Sequence, residues 1–102
     1  MKNELTREQS QHLIELGVPE EKATSIEQVP DYDNPIFRLT DLLEILQKYK
    51  KINKPLTIKY DVCEEKWSVS YAGLARKCRA EELIDALYQL TVQCVNGGFL
   101  EY

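Results

Sequence analysis

Cysteine and histidine are the side chains of this sequence that could supply a nucleophile and its base. The chain has one histidine, His12, and three cysteines. Cys78 stands in the cationic stretch 76–79, and neighbouring positive charge favours the reactive thiolate. Apart from His12, which falls on the first predicted helix, the sequence has no histidine that could activate the Cys78 thiol. Cys94 falls on the apolar face of another predicted helix. We therefore expect 76–79 to be a solvated turn with an ordinary thiol, and we predict no catalytic residue and no enzyme.

The sequence lacks the residue spacings that are typical of metal and phosphate sites. The sequence contains no CxxC, HxxxH, HExxH or DxDxDG pattern. The acidic pairs Glu64-Glu65 and Asp31 with Asp33 have neither a histidine nor a glycine frame around them, which favours solvated loops. Gly97-Gly98 follows a predicted helix, whereas an anion site needs a helix N-terminus. We predict no metal and no cofactor.

The cysteine usage and the first residues bear on compartment and organisation. An odd number of cysteines without a CxxC pair predicts reduced thiols. The opening stretch MKNELTREQSQ has no apolar segment, and no run is long enough to span a bilayer. We expect a cytoplasmic protein without a membrane segment, whose 102 residues form a single α+β domain over 1–102.

Charge is distributed unevenly along the chain. The net charge is −4, yet residues 1–35 carry eight acids against three bases and residues 36–55 carry five bases against two acids. The acidic total argues against nucleic acid as the partner without excluding it, since clustered bases can act locally. The bases of the middle segments predict a candidate contact patch, which consists of Lys48, Lys50, Lys51, Lys54, Arg76, Lys77 and Arg79.

Two features resemble nucleic-acid-binding elements. Tyr60, Trp67 and Tyr71 on a predicted sheet resemble a base-stacking platform, but their spacing puts them on the apolar face, and we expect them to be core. The helix pair over 7–24 resembles a helix-turn-helix, but its second helix would present two glutamates to phosphate. A small nucleic-acid-binding or regulatory protein therefore stays the alternative function.

The first third of the chain predicts two helices and a loop. Thr6 with Gln9 predicts a capping box for a helix over Arg7–Leu16, which Gly17 ends. Pro19 then predicts a second short helix over 19–24. Residues 25–35 have no sustained period and hold several turn formers, so we expect a loop there.

The following segments predict a helix, a hairpin and a last helix. Residues 36–39 fit either a brief strand or the entry to a helix over 41–50 capped by Thr40. Apolar residues at helical spacing predict a helix over 80–95, stopped by Gly97 and Gly98. The apolar C-terminal residues 99–102 are expected to fold back over the core or to meet a partner.

Alternating residues over 56–62 and 67–71 predict an antiparallel hairpin. Placing the apolar residues on one face pairs Val62 with Trp67, Tyr60 with Val69 and Ile58 with Tyr71. The four-residue loop Cys63–Lys66 is favoured over a tight Glu64-Glu65 turn. Because a lone hairpin is marginal, we expect helices to cover its apolar face. The predicted order is α-α-(β)-α-β-β-α, with three strands if residues 36–39 join the hairpin.

Several stretches resemble a family of short proteins from phages, prophages and mobile elements of gut bacteria. The resemblance runs from about Leu5 to Leu100, and it is carried by PIFRLTDLLEIL, LTIKY, WSVSY, ELIDALYQL and GGFL. The family has no assigned activity, cofactor or catalytic residues. The resemblance implies an accessory protein of a mobile element. Together with the apolar C-terminus and the aromatic hairpin, it leads us to expect a non-enzymatic protein acting through protein contact, with an unidentified protein or a second copy as partner.

Overall fold

The fold combines α-helices with two antiparallel sheets, which confirms the predicted α+β class. The computed structural model describes residues 2–29, 32–51, 53–71 and 77–102. In chain order the elements are α1 (Arg7–Glu15), a 3-10 turn (Glu20–Lys22), β1 (Ser25–Val29), β2 (Tyr32–Ile36), α2 (Leu39–Lys48), β3 (Leu56–Asp61), β4 (Lys66–Tyr71), β5 (Cys78–Ala80) and α3 (Leu83–Asn96). β1 pairs with β2, and β3, β4 and β5 form a separate sheet in that order.

Helix α1 has the predicted caps. Thr6 Oγ1 accepts the Gln9 N–H at 3.1 Å, and Gln9 Oε1 accepts the Thr6 N–H at 3.0 Å, so the capping box is confirmed. After the helix, Gly17 has a φ of 109°, and the Val18 N–H donates to the Leu13 carbonyl at 3.0 Å. The glycine turn places Val18 in the core, where it is 1% exposed.

The predicted second helix over 19–24 is wrong. A single 3-10 turn forms over Glu20–Lys22, and Ala23 is already extended. Thr24 then donates to the Asp41 carboxylate through its backbone N–H at 2.9 Å and its hydroxyl at 2.8 Å. These two bonds hold the chain in the extended path that leads into β1. The helix-turn-helix interpretation fails here, because a turn of three residues cannot serve as a recognition helix.

The predicted loop over 25–35 is also wrong, because β1 and β2 pair along most of it. The strand alternation is hard to see in the sequence because the ribbon is only partly packed. Ile26 is 59% exposed, whereas Ile36 is 3% exposed. At the end of β2, Ser10 Oγ of α1 accepts the Phe37 N–H at 3.1 Å. Residues 36–39, which fitted either a brief strand or a helix entry, contain part of each. Ile36 ends β2, and Leu39 begins α2.

Helix α2 begins at Leu39 rather than at Asp41, and its N-cap is Arg38 rather than the predicted Thr40. The Asp41 side chain fixes this start, because its Oδ2 accepts the Arg38 N–H at 2.8 Å. The same buried carboxylate holds Thr24, so one side chain joins the start of α2 to the start of β1.

The β3–β4 hairpin differs from its predicted register by two residues. Tyr60 pairs with Trp67 and Ile58 with Val69, and the loop is Val62–Glu65. Asp61 sets this loop, because its Oδ1 accepts the N–H of Cys63 at 2.9 Å and of Glu64 at 3.2 Å. The predicted loop length and the shared apolar face are correct, because a shift of two residues keeps every side chain on its side of the sheet.

A third strand, β5, was not predicted. Cys78 pairs with Val69 and Ala80 with Trp67, so the expectation of a solvated turn over 76–79 is wrong from Cys78 onward, where the chain is a strand. β4 is consequently the central strand, and α3 packs against β4 and β5. The prediction that helices cover the apolar face of the hairpin is therefore wrong for β3, the edge strand on the side of the sheet away from α3.

The C-terminal segment folds back, as predicted. α3 ends at Asn96, Gly98 beyond it has a φ of 72°, and the Phe99 N–H donates to the Cys94 carbonyl at 2.8 Å. The segment then bonds to the residues that follow α2, where the Lys51 N–H donates to the Phe99 carbonyl at 2.8 Å. Leu100 is buried between these contacts. In the part of the chain that the structure describes, no helix is long and apolar enough to cross a bilayer.

Candidate interaction surface

The residues that could supply nucleophilic chemistry are mostly packed into the fold. Cys78 is 2% exposed, and burial raises the pKa of its thiol, which argues against a thiolate favoured by nearby cations. Burial likewise raises the pKa of Cys94 to about 11. Cys63 is exposed in the hairpin loop. His12 lies on α1, and its Nδ1 is hydrogen-bonded to the Tyr88 hydroxyl of α3.

A cleft that sequence reasoning did not anticipate lies between α1 and β2. Its volume is about 440 Å³. Its lining residues are of polar and charged types, with both signs present, and they are Arg7, Glu8, Gln11, His12, Glu15 and Asn34. Asn34 Nδ2 is buried and has no hydrogen-bond partner. The spacing of Glu8, His12 and Glu15 on one helix face is the signal that could have drawn attention to it. Across the described ranges, no group of three His, Cys, Asp or Glu side chains is arranged to hold a metal ion.

The candidate basic residues lie in two regions. Lys48 is the last residue of α2, and Lys50, Lys51 and Lys54 follow it. Lys77 lies beside β5, and Arg79 lies within it. Arg76 falls outside the described residues. Some of these cations already have partners within the fold. Lys48 lies 3.7 Å from Glu44, and Lys50 donates to the Lys54 carbonyl. Arg79 lies 2.8 Å from Glu64 and 3.5 Å from Asp61.

An apolar surface remains uncovered where β3 extends beyond α3. Its members, Ile58, Tyr60 and Trp67, are here called the edge patch. Ile58 is 37% exposed, Tyr60 is 46% exposed and Trp67 is half-buried. The Tyr60 and Trp67 rings pack together with their centroids 5.0 Å apart. The expectation that the hairpin aromatics are core is confirmed for Tyr71, which is 1% exposed, and is wrong for Tyr60.

Tyr71 lies on the same face of the sheet, in the part that the helices cover. Its hydroxyl donates to the Leu46 carbonyl of α2 at 2.6 Å, and burial raises the pKa of the phenol. The side chain that opposes it across the strands, Leu56 of β3, is half-buried. Exposure on this face therefore increases from Tyr71 toward the hairpin loop, where Val62 is 78% exposed.

The outer edge of β3 also leaves backbone groups available for pairing. Within the described part of the chain, no strand pairs with this edge. The strand is six residues long, pairs with β4 without a bulge and contains no proline. The opposite edge of the sheet, β5, is three residues long and carries Arg79. Natural sheets protect their edges by short strands, prolines, bulges and charges, and β3 has fewer of these devices than β5.

Comparison of the chain with protein-family models, with curated proteins and with solved structures found no match.

Proposed function

We propose that this protein is a non-enzymatic binding protein that acts through protein contact at the edge patch. The role is the one that the resemblance implies, an accessory protein of a phage or mobile element. The observation that supports the proposal is that Ile58 and Tyr60 of β3 are exposed. They lie on the same face of the sheet on which the neighbouring strand, β4, packs into the core.

The chemistry of the edge patch favours a polypeptide ligand. Aromatic residues are enriched at protein interfaces because one side chain offers a large apolar area and a polar tip. Ile58 and Tyr60 supply that surface directly beside an exposed backbone edge. Extended peptides use such an edge for main-chain hydrogen bonds and place alternate side chains against the apolar face.

The charges around the strand agree with this choice. On the other face of β3, Lys59 and Asp61 carry opposite charges, and Asp61 is also paired with Arg79. A surface for a polyanion would need an excess of unpaired cations along its length. The strand itself offers a balanced surface, which is more suitable for a polypeptide than for a phosphate backbone.

Capture from the native cell tests this proposal. The patch variant would carry Ile58→Ser with Tyr60→Ser, and the matched control would carry Thr57→Ser with Lys59→Ser on the other face of the same strand. Both should unfold near the wild-type midpoint, because all four positions are at least partly exposed. We expect the wild type and the control to enrich at least one protein that the patch variant does not capture. A second copy of the chain counts as such a protein. Capture of the same proteins by the patch variant, or no specific enrichment by the wild type, would overturn the proposal.

Single-strand nucleic-acid binding is the second candidate, and the Tyr60–Trp67 pair is the observation that favours it. Exposed aromatic rings beside lysines can stack bases. Titration with single-stranded oligonucleotides, followed by Trp67 fluorescence, tests this candidate. Binding that weakens steeply as salt rises, and less steeply after the lysines at 48, 50, 51 and 54 are neutralised, would favour it over protein contact.

A further inference from the structure

We infer that the occupant of the edge patch is a second copy of this chain, whose β3 pairs antiparallel with the first across a two-fold axis. The pairing would join the two three-stranded sheets into one continuous sheet. This inference rests on the proposed contact function, and it specifies the partner and the register.

The length of β3 limits the register to two choices. Residues directly opposite each other must lie on the same face of the joined sheet, so that Leu56, Ile58 and Tyr60 of both copies form one apolar surface. Two symmetric registers satisfy this condition and keep five residues of each strand paired. One places Ile58 opposite Ile58 of the second copy, and the other places Lys59 opposite Lys59 of the second copy.

Charge selects between these two registers. Like charges directly opposite each other destabilise a strand pair, which disfavours the register centred on Lys59. In the register centred on Ile58, Leu56 lies opposite Tyr60 and Thr57 lies opposite Lys59. The first of these pairs brings together two apolar side chains, and the second brings together a neutral side chain and a charged one. No like charges meet directly.

The pairing would also bring together the surfaces that α3 leaves exposed in the two copies. α3 packs over β4 and β5, so in the joined sheet the two α3 helices would lie on either side of the paired β3 strands. Ile58 and Tyr60 of both copies would fill the surface between those helices, beside the half-buried Trp67. The association would satisfy the backbone edge and reduce the exposure of the edge patch, because each β3 would gain a neighbouring strand on its open side.

Cysteine cross-linking and sedimentation test the inference. In a Cys63→Ser background, which removes the exposed thiol, Ile58→Cys should form an interchain disulfide under mild oxidation, because directly opposed strand residues have a suitable Cα separation. Lys59→Cys should cross-link at least about tenfold more slowly, since its thiols would be offset by two residues. Glu27→Cys on β1 is the control for random collision.

In sedimentation equilibrium the wild type should reach twice the chain mass as concentration rises. Ile58→Lys should raise the dimer dissociation constant by about tenfold or more, because it places two cations on the axis. Ser70→Lys, away from the strand edge, should leave the constant unchanged. Faster cross-linking of Lys59→Cys than of Ile58→Cys would overturn the register.

A wild type that stays monomeric at every concentration would overturn self-pairing. The proposed function would still stand in that case if the Ile58→Ser, Tyr60→Ser variant lost a captured protein that the control kept. A monomeric chain whose patch variant captures the same proteins as the wild type would overturn both.

Discussion

Ile58 and Val69 lie directly opposite each other on one face of the sheet, yet Val69 is fully buried and Ile58 is 37% exposed. The two residues mark the boundary of the helical cover. α3 lies over the strand of Val69 and its neighbour β5, and it leaves the strand of Ile58 outside. This boundary creates the edge patch on which the proposed function depends.

The Asp41 carboxylate should be the most sensitive polar group in the fold. It is 4% exposed and accepts hydrogen bonds from Arg38 and Thr24. Asp41→Ala leaves these donors without their acceptor, and we expect it to lower the free energy of unfolding by about 3 kcal/mol. Glu44→Ala, on an exposed position of the same helix, should change it by less than about 0.5 kcal/mol. Urea unfolding measures both, and equal effects would contradict the assigned role.

Tyr71→Phe isolates the hydrogen bond between the sheet and α2. Removing the hydroxyl leaves the Leu46 carbonyl without its side-chain donor, and we expect a loss of about 1 kcal/mol in the free energy of unfolding. Tyr60→Phe on the same face is the matched control and should be nearly neutral, because its phenol is exposed. A neutral Tyr71→Phe would show that the 2.6 Å contact contributes nothing to stability.

Stability should decrease in alkaline solution. Burial raises the pKa of Cys94 to about 11 from its ordinary value of 9.0, and it raises the pKa values of Cys78 and Tyr71 as well. The unfolded chain therefore ionises these groups at a lower pH than the folded chain does. The stabilisation is complete below the unfolded pKa, and it is lost as pH rises through the interval up to the folded value.

Cys94→Ala tests that dependence. Between the two pKa values of Cys94, the variant should lose free energy of unfolding less steeply than the wild type, by about 1.4 kcal/mol per pH unit. Identical slopes in the wild type and Cys94→Ala would contradict the pKa shift of Cys94.

Thiol titration distinguishes the cysteines directly. Near neutral pH we expect one cysteine, Cys63, to react in the folded protein and all three to react in denaturant. Cys63→Ser should remove the reaction of the folded protein. Rapid reaction of Cys78 in that variant would revive the hypothesis of an activated thiol that its burial argues against.

Local signals predicted much of the fold. The Thr6–Gln9 box and the turns at Gly17 and Gly98 are correct because neighbouring residues determine them. Two misplacements depend instead on single carboxylates. Asp41 sets the start of α2, and Asp61 moves the hairpin register. An aspartate at the end of a strand can cap the turn itself, and this could have been weighed from the sequence.

The edge patch was less predictable, because it depends on contacts between distant segments. The apolar face of the hairpin is evident from residue alternation, but the part that helices cover is not. β5 is three residues long and is preceded by a cationic stretch, so it has no strand period. Once it pairs beside Val69, β4 becomes central and Tyr60 is left at the margin.

Amide hydrogen exchange along β3, measured at low and high protein concentration, tests the central claim most directly. If this edge pairs with a second copy, the amides of β3 that face away from β4 exchange rapidly when dilute and become protected as concentration rises, and Ile58→Lys removes that protection. Exchange at those amides that does not change with concentration would contradict the self-pairing of β3.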